Sequence, residues 1–294
     1  MYYLVFGLLY LVSLLPFRVL YIISDGFFLL LYYVLKYRRN VVMGNLDIAF
    51  PEKSREEKEA IAKEFYKNFI DNFIETIKLL SISKRSLNKR FTSNYEVLEN
   101  LYATGKSVQV HLGHFFNWEF ANAYHCLNTI FPFLVVYMPI KNQVLDRLFI
   151  YLRKRFGTKL IAATEFRQQF APYTKEQYCL VLVGDQNPGD PGTAYWLPFF
   201  GRMTPFVKGP EKGARLGNTA IIMCNFYKVK RGYYRSELFL LTMEPRSLPD
   251  GEITRQMIRY IEDAIRERPA NYLWSHRRWK WTYDEKKHAH LVVK

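Results

Sequence analysis

The sequence predicts an α/β layer fold preceded by an N-terminal membrane element, and three observations carry that prediction. Residues 1–35 are apolar and aromatic, with Arg18 and Asp25 as the only charged side chains. From about residue 106, short apolar runs rich in β-branched residues recur along the chain. Helical patterns lie between several of these runs, the alternation that builds a buried sheet covered by helices.

The elements follow in order. Met1 to Phe17 carries no charged side chain and is only just long enough for a spanning helix of about 20 apolar residues; Pro16 bends its end. Lys36, Arg38 and Arg39 close the apolar region and would hold the body on the cytoplasmic side. A cleaved signal peptide is a poor reading, because no basic residues precede the run and no small-residue cleavage site follows it. Two arrangements remain, a short span with an interfacial helix or a helical hairpin within one leaflet. A buried core helix pair is the bland alternative. Tyr2, Tyr3, Tyr10, Tyr21, Tyr32 and Tyr33 suit a headgroup-level belt better than a dry core.

Residues 40–53 read as a connector. Ser54 with Glu57 forms a capping box that opens a helix to about residue 80. Its apolar face is Ile61, Phe65, Phe69, Phe73 and Ile77, and its other face is expected to be solvated. Strands are expected at 107–112, 133–138, 159–163, 178–184, 220–226 and 237–243. Helices are expected at 118–127, 142–156, 165–173 and 210–216, with a last one at 254–268. No repeat or flexible linker interrupts this pattern. The simplest organisation is an anchor, residues 1–39, and one catalytic body, residues 40–294.

Composition narrows the function. The 49% hydrophobic and 23% charged residues of this 294-residue chain exclude intrinsic disorder. A mean hydropathy of −0.16 excludes a multi-span membrane protein. Three cysteines in apolar runs exclude a disulfide scaffold and read as buried thiols. A net charge of +15 with 17% aromatics points to an anionic partner: nucleic acid, an acidic protein or a phosphate-bearing surface.

Three clusters could carry chemistry. The first, Val110 to Glu119, follows a strand and precedes a helix, the place where open α/β sheets bind ligands. On one helix a five-residue step turns by about 500°, so His114 and Glu119 meet only if the backbone changes course between them. Asn117 is the N-cap candidate for that change. An imidazole held by a carboxylate is a general base, and no Ser or Cys nucleophile lies in this segment. A structural histidine beside a carboxylate is the competing reading. His111, His114 and Glu119 make a poor metal cage, and no metal or cofactor is expected. The second cluster is the turn-rich stretch from Gly184 to Gly192, where Asp185 could orient a base, bind a hydroxyl or merely cap a turn. The third, Asn271 to Trp281, interleaves Trp274, Trp279 and Trp281 with His276, Arg277, Arg278 and Lys280, and suits a membrane surface or stacked bases.

These segments together resemble the bacterial lipid A biosynthesis acyltransferases, collinearly over nearly the whole chain. Residues 38–51 look like the stretch after that family's anchor. Gly113 to Glu119 is similar to its HX4(D/E) block, Gly184-Asp185-Gln186 to its Asp-Gln block, Pro198 to Gly201 to its P-x-F-G, and Tyr272 to Lys280 to its C-terminal signature. The resemblance implies a glycerol-phosphate-acyltransferase-like layered sheet. It implies transfer of a fatty acyl group from acyl carrier protein, or acyl-CoA, to a hydroxyl of a lipid A precursor at the cytoplasmic face of the inner membrane. His114 and Glu119 carry over as the catalytic pair. Asp185, Gln186, Arg167 (as the family's arginine), Asn117, Arg277 and Arg278 carry over as substrate-binding residues. The implied partners are acyl carrier protein, the glycolipid acceptor and inner-membrane phospholipids, and not nucleic acid. Transfer to another glycolipid or aminolipid is the alternative within the class. A non-enzymatic module binding anionic lipid or nucleic acid is the alternative outside it.

Overall fold

The structure, a computed structural model, describes residues 1–293. The chain runs α1 (Tyr2–Leu14), α2 (Phe17–Leu29), α3 (Arg39–Ala49), α4 (Arg55–Lys78), α5 (Lys84–Arg90), β1 (Phe91–Ser93), α6 (Glu96–Ala103) and β2 (Val108–Leu112). It continues with α7 (Trp118–Asn128), β3 (Phe133–Tyr137), α8 (Gln143–Lys154), β4 (Lys159–Ala162), α9 (Phe166–Phe170) and β5 (Cys179–Val183). It closes with β6 (Tyr195–Phe199), β7 (Arg202–Phe206), α10 (Gly209–Gly217), β8 (Ala220–Lys230), β9 (Tyr233–Thr242), α11 (Glu252–Glu267) and α12 (Glu285–His288). Seven strands form one sheet in the order β1-β9-β8-β2-β5-β3-β4. Its pairs are parallel except the β8–β9 hairpin, so this is an α/β fold with a mostly parallel sheet flanked by helices.

The predicted strands are all present: β2 and the first half of β8 are apolar runs buried on both faces, while β9 alternates buried and exposed residues. The β6–β7 hairpin was not predicted. Pro198 and Pro205 lie in its strands and read against a strand. Its turn is the Phe200-Gly201 pair, both with positive φ, the backbone that a two-residue hairpin needs.

Two helical readings change. Residues 40–53 are mostly the helix α3, whose Val42, Met43, Leu46 and Ala49 enter the core. On α4 the buried face is not the apolar stripe alone. Phe73 is exposed, while Asn68, Asp71, Asn72 and Glu75 are buried. Buried polar groups are costly unless hydrogen-bonded, and Asn68, Asp71 and Glu75 find partners largely in the N-terminal helices and the β8–β9 hairpin. Ser24 donates to Asp71 at 2.6 Å, and Arg231 bridges Asp25 and Asp71. Lys78 donates to the carbonyls of Ser13 and Leu15 at the α1–α2 break next to Pro16.

Helices α1 and α2 therefore lie against the body with one face each. The opposite faces are exposed and apolar: Tyr3, Leu4, Leu8 and Leu11 on α1, Ile22, Phe27 and Leu29 on α2. Phe17–Val34 is long and apolar enough, by length and composition, to cross a membrane.

Candidate active site

Strands β2 and β5 are parallel neighbours in register, with Leu112 opposite Val183. Two residues beyond each strand end stand His114 and Asp185, so the sheet itself delivers the two side chains to one point. The approach is tight. A Cβ on Gly184 would meet Met257 of α11 at 2.9 Å, and one on Gly113 would meet Ile261 of the same helix at 3.2 Å. Glycine at both strand ends lets α11 pack directly beneath the site.

Asp185 uses both carboxylate oxygens on His114. Oδ1 lies 2.6 Å from the ring Nδ1, and Oδ2 accepts the His114 backbone N–H at 3.1 Å. The buried Tyr272 side chain adds to the pull on the same carboxylate. Burial pushes the Asp185 carboxyl up, but the His114 ring and these hydrogen bonds outweigh it and hold it down at about 2. Asp185 is thus a carboxylate, Nδ1 carries the ring proton, and Nε2 keeps the lone pair. The amide nitrogen of Gln186 sits 3.1 Å from Nε2 as its donor.

The expected His114–Glu119 contact is not what forms. Both ring nitrogens of His114 are taken by Asp185 and Gln186, and Glu119 turns to an arginine. Asn117 does cap α7, accepting from the N–H groups of Glu119 and Phe120 at 3.1 Å. That cap changes the chain direction and sets Glu119 in the first turn of α7. There Glu119, 2% exposed, receives Arg153 of α8 in a fork, Nη2 to Oε1 at 2.6 Å and Nε to both oxygens at 3.1 Å. The Trp118 indole donates to it at 3.2 Å. Burial alone would lower the Arg153 guanidinium, but the Glu119 carboxylate overrides it and holds the guanidinium above its ordinary value.

Arg153 is the residue of this site that sequence reasoning does not find. Nothing in the local pattern marks it, because the contact spans two helices that only the sheet brings together. Arg167, proposed for the arginine role, is instead exposed on α9 and does not line the cavity described below. Asn117 is wholly buried and bonded at both ends within the protein, so it is a cap and not a substrate contact. Arg278 is 1% exposed, donates to Asn187 at 2.7 Å and to the Pro205 carbonyl at 2.9 Å, and stacks over Phe206. Its role is to hold the β6–β7 hairpin against the loop after β5. Arg277 points to solvent, and its carbonyl accepts from Asn187.

The tryptophan-rich segment is also internal where a surface patch was expected. Trp274 is buried and donates to the Pro269 carbonyl, and Trp279 stacks on Phe199 at 5.6 Å. This segment straps the turn that carries His114: Leu273 donates to the His114 carbonyl and Phe116 to that of Asn271. Asn45 of α3 holds the strap through the carbonyls of Trp274 and His276, both at 2.7 Å. His111 is buried with Nε2 on the Gln109 side chain, and burial pushes it down to about 4. Among the described residues, no three His, Cys, Asp or Glu side chains converge as a metal set.

His114, Glu119, Arg153 and Gln186 line one cavity of about 750 Å³. The rest of its wall is mainly apolar, including Leu98, Phe133, Val135, Leu180 and Leu238. An imidazole with one ring nitrogen on a buried carboxylate and a held cation beside a mainly apolar cavity of this size suit an enzyme that acts on an apolar acyl group.

Comparison with known proteins agrees. Residues 1–281 match the family description "Bacterial lipid A biosynthesis acyltransferase". The chain is 25% identical over 280 residues to the lipid A biosynthesis palmitoleoyltransferase of Escherichia coli K12, covering 93% of this chain and 89% of that protein. It is 23% identical over 281 residues to the lipid A biosynthesis lauroyltransferase of the same organism, with coverage of 93% and 89%. A lipid A biosynthesis acyltransferase of Haemophilus influenzae is 24% identical over 242 residues, covering 81% and 74%. The chain belongs to the bacterial lipid A biosynthesis acyltransferase family, and it is an acyltransferase.

Proposed function

We propose that this enzyme moves a fatty acyl group from the thioester of acyl carrier protein to a hydroxyl of a lipid A precursor, with His114 as general base. The observation that carries the proposal is the His114 ring itself. Asp185 fixes its Nδ1 proton, and its Nε2 opens on the cavity that also holds Arg153. Asp185, not Glu119, is the orienting partner in this mechanism.

The acceptor hydroxyl displaces the Gln186 amide from Nε2 and gives its proton to that nitrogen as its oxygen attacks the thioester carbonyl. Negative charge gathers on the carbonyl oxygen, and the guanidinium held by Glu119 supplies donors for it. Collapse expels the thiolate, which takes the proton back from Nε2. The sulfur leaving group needs no covalent enzyme intermediate. The acyl chain occupies the apolar part of the cavity. An acidic carrier protein is steered by the net charge of +15, and a phosphate-bearing acceptor is drawn by the same field. The strand order and the two helices α7 and α8 around the site support the glycerol-phosphate-acyltransferase-like reading of the fold.

The enzyme works on the cytoplasmic face of the inner membrane with α1 and α2 lying in the interface. Their inner faces are tied to buried charges on α4, and a spanning α2 would carry Asp71 and Glu75 into hydrocarbon. Their outer faces are apolar, as an interfacial helix requires. Helix α1 also rests on α8, with Phe6 edge-on to Tyr151 at 5.1 Å and Arg147 over Tyr2 at 4.1 Å. The helix that carries Arg153 thus borders the lipid-facing surface, which gives a lipid acceptor a short path to the site.

The test is turnover by detergent-solubilised protein of acyl-carrier-protein thioester and a lipid A precursor, with product identified by mass spectrometry. Wild-type enzyme forms the acylated lipid and His114→Ala loses at least 100-fold. Free fatty acid as the sole product would make the protein a thioesterase. Product with acyl-CoA alone would replace the donor.

A further inference from the structure

Glu75 lies in the last turn of α4, 0% exposed, and the acyl-transfer mechanism above does not use it. A buried carboxylate must be matched by donors, and three elements supply them. Tyr21 of α2 donates to Oε1 at 2.8 Å. Tyr234 of β9 donates to Oε2 at 2.6 Å, and Asn117 donates its Nδ2 to the same oxygen at 2.8 Å.

The Asn117 contact reaches the site. The other end of that amide, Oδ1, accepts from the backbone N–H groups of Glu119 and Phe120. An amide turned end for end would aim N–H groups at N–H groups on that side, and leave Glu75 facing an oxygen. Glu75 therefore locks, from the far end, the direction that the two backbone N–H groups already favour for the Asn117 amide. The amide in turn fixes the first turn of α7, which carries Glu119 and its arginine. Three residues upstream is His114, pinned from the opposite side by Asp185. The catalytic turn is held from one side by Asp185 and from the other by Glu75 acting through Asn117.

We propose that Glu75 is a positioning residue for acyl transfer, acting through the Asn117 amide to hold the turn between His114 and Glu119 in its productive geometry. This rests on the proposed function for its kinetic readout and on backbone geometry alone for its second readout. Tyr21 and Tyr234 clamp the carboxylate so that its orientation is set independently of the turn. Burial pushes the Glu75 carboxyl up to about 7 against the pull of its three donors. The protein thus keeps an acidic group where an apolar side chain would avoid the desolvation cost.

Two variants test it. Asn117→Ser keeps a good helix cap but is too short to reach Glu75 as well. Glu75→Met fills similar space without an acceptor. Both are expected to lower kcat at least tenfold with the acceptor KM within threefold, since a misplacement of about 1 Å can cost roughly 100-fold. Glu75→Gln, which still offers Asn117 an oxygen, is expected to recover kcat at least tenfold over Glu75→Met. A purely structural role would shift the thermal midpoint and leave kcat per folded molecule alone. Amide exchange at Glu119 and Phe120 needs no substrate and should accelerate at least tenfold in Glu75→Met, where the Asn117 amide loses its acceptor. Undiminished kcat in folded Asn117→Ser, failure of Glu75→Gln to exceed Glu75→Met, or unchanged amide exchange overturns the inference. If wild-type enzyme forms no product from the donor and acceptor named above, the proposed function fails, and amide exchange still decides this one.

Discussion

Replacing Asp185 by Asn removes one charge and changes almost no volume, yet it strikes the site at two atoms. Each Asp185 oxygen accepts one proton from His114, Oδ1 from the ring at 2.6 Å and Oδ2 from the backbone at 3.1 Å. An asparagine has one oxygen. If it faces the ring, its NH2 group meets the backbone N–H, and an unmade buried hydrogen bond costs about 1–3 kcal/mol. If it faces the backbone, the NH2 group meets Nδ1, and the ring relieves the conflict by moving its proton to Nε2. The second arrangement satisfies the ring and the backbone once the Gln186 amide turns its oxygen towards Nε2, and it is the one expected. It places a proton on the nitrogen that must accept one. The loss should be that of a general base, about 10²–10⁴ in kcat, or roughly 3–5 kcal/mol of barrier. The assay is initial-rate turnover over a range of acceptor concentrations, with the thermal midpoint of the same preparation. The midpoint should move by no more than a few degrees. A folded Asp185→Asn enzyme within tenfold of wild type would show that Asp185 does not set the tautomer of His114.

Other perturbations follow from the same geometry. Arg153→Ala strands the Glu119 carboxylate, which is 2% exposed, and should cost about 3–5 kcal/mol in denaturant unfolding as well as activity; a loss under about 1 kcal/mol would mean that water already reaches Glu119. Exchanging Leu4, Leu8 and Leu11 for Gln removes at least about 1 kcal/mol of burial each, so binding to anionic vesicles should fall roughly 100-fold without a change in fold; unchanged binding would place the membrane contact elsewhere. Burial holds His111, His125 and His276 down at about 4, below their unfolded value near 6.5. Their stabilisation is complete above about 6.5 and is lost as the pH falls towards 4. Glu75, raised to about 7, opposes this with one proton against three, so the thermal midpoint should fall between pH 6.5 and 4.5, and a rising midpoint would refute the balance.

The sequence by itself determined the elements that depend on local pattern. Apolar runs such as Val108–Leu112 form strands because both of their faces are buried, and the Ser54–Glu57 box opens α4 as written. His114 is placed in a strand-to-helix turn and Asn117 at a cap by residue type alone. Only the tertiary structure decided the pairing of charges. His114 and Asp185 are 71 residues apart and meet because β2 and β5 are parallel and in register. Glu119 is five residues from His114, yet it turns to Arg153 across an interhelical contact that no local spacing encodes. The same limit explains the tryptophans and the polar face of α4. Hydrophobic periodicity reports which side chains avoid water, and Trp274 could do so in a bilayer or in a core. Periodicity cannot report that Asp71 and Glu75 are buried, because their burial depends on donors from α2, the turn before α7 and the β8–β9 hairpin.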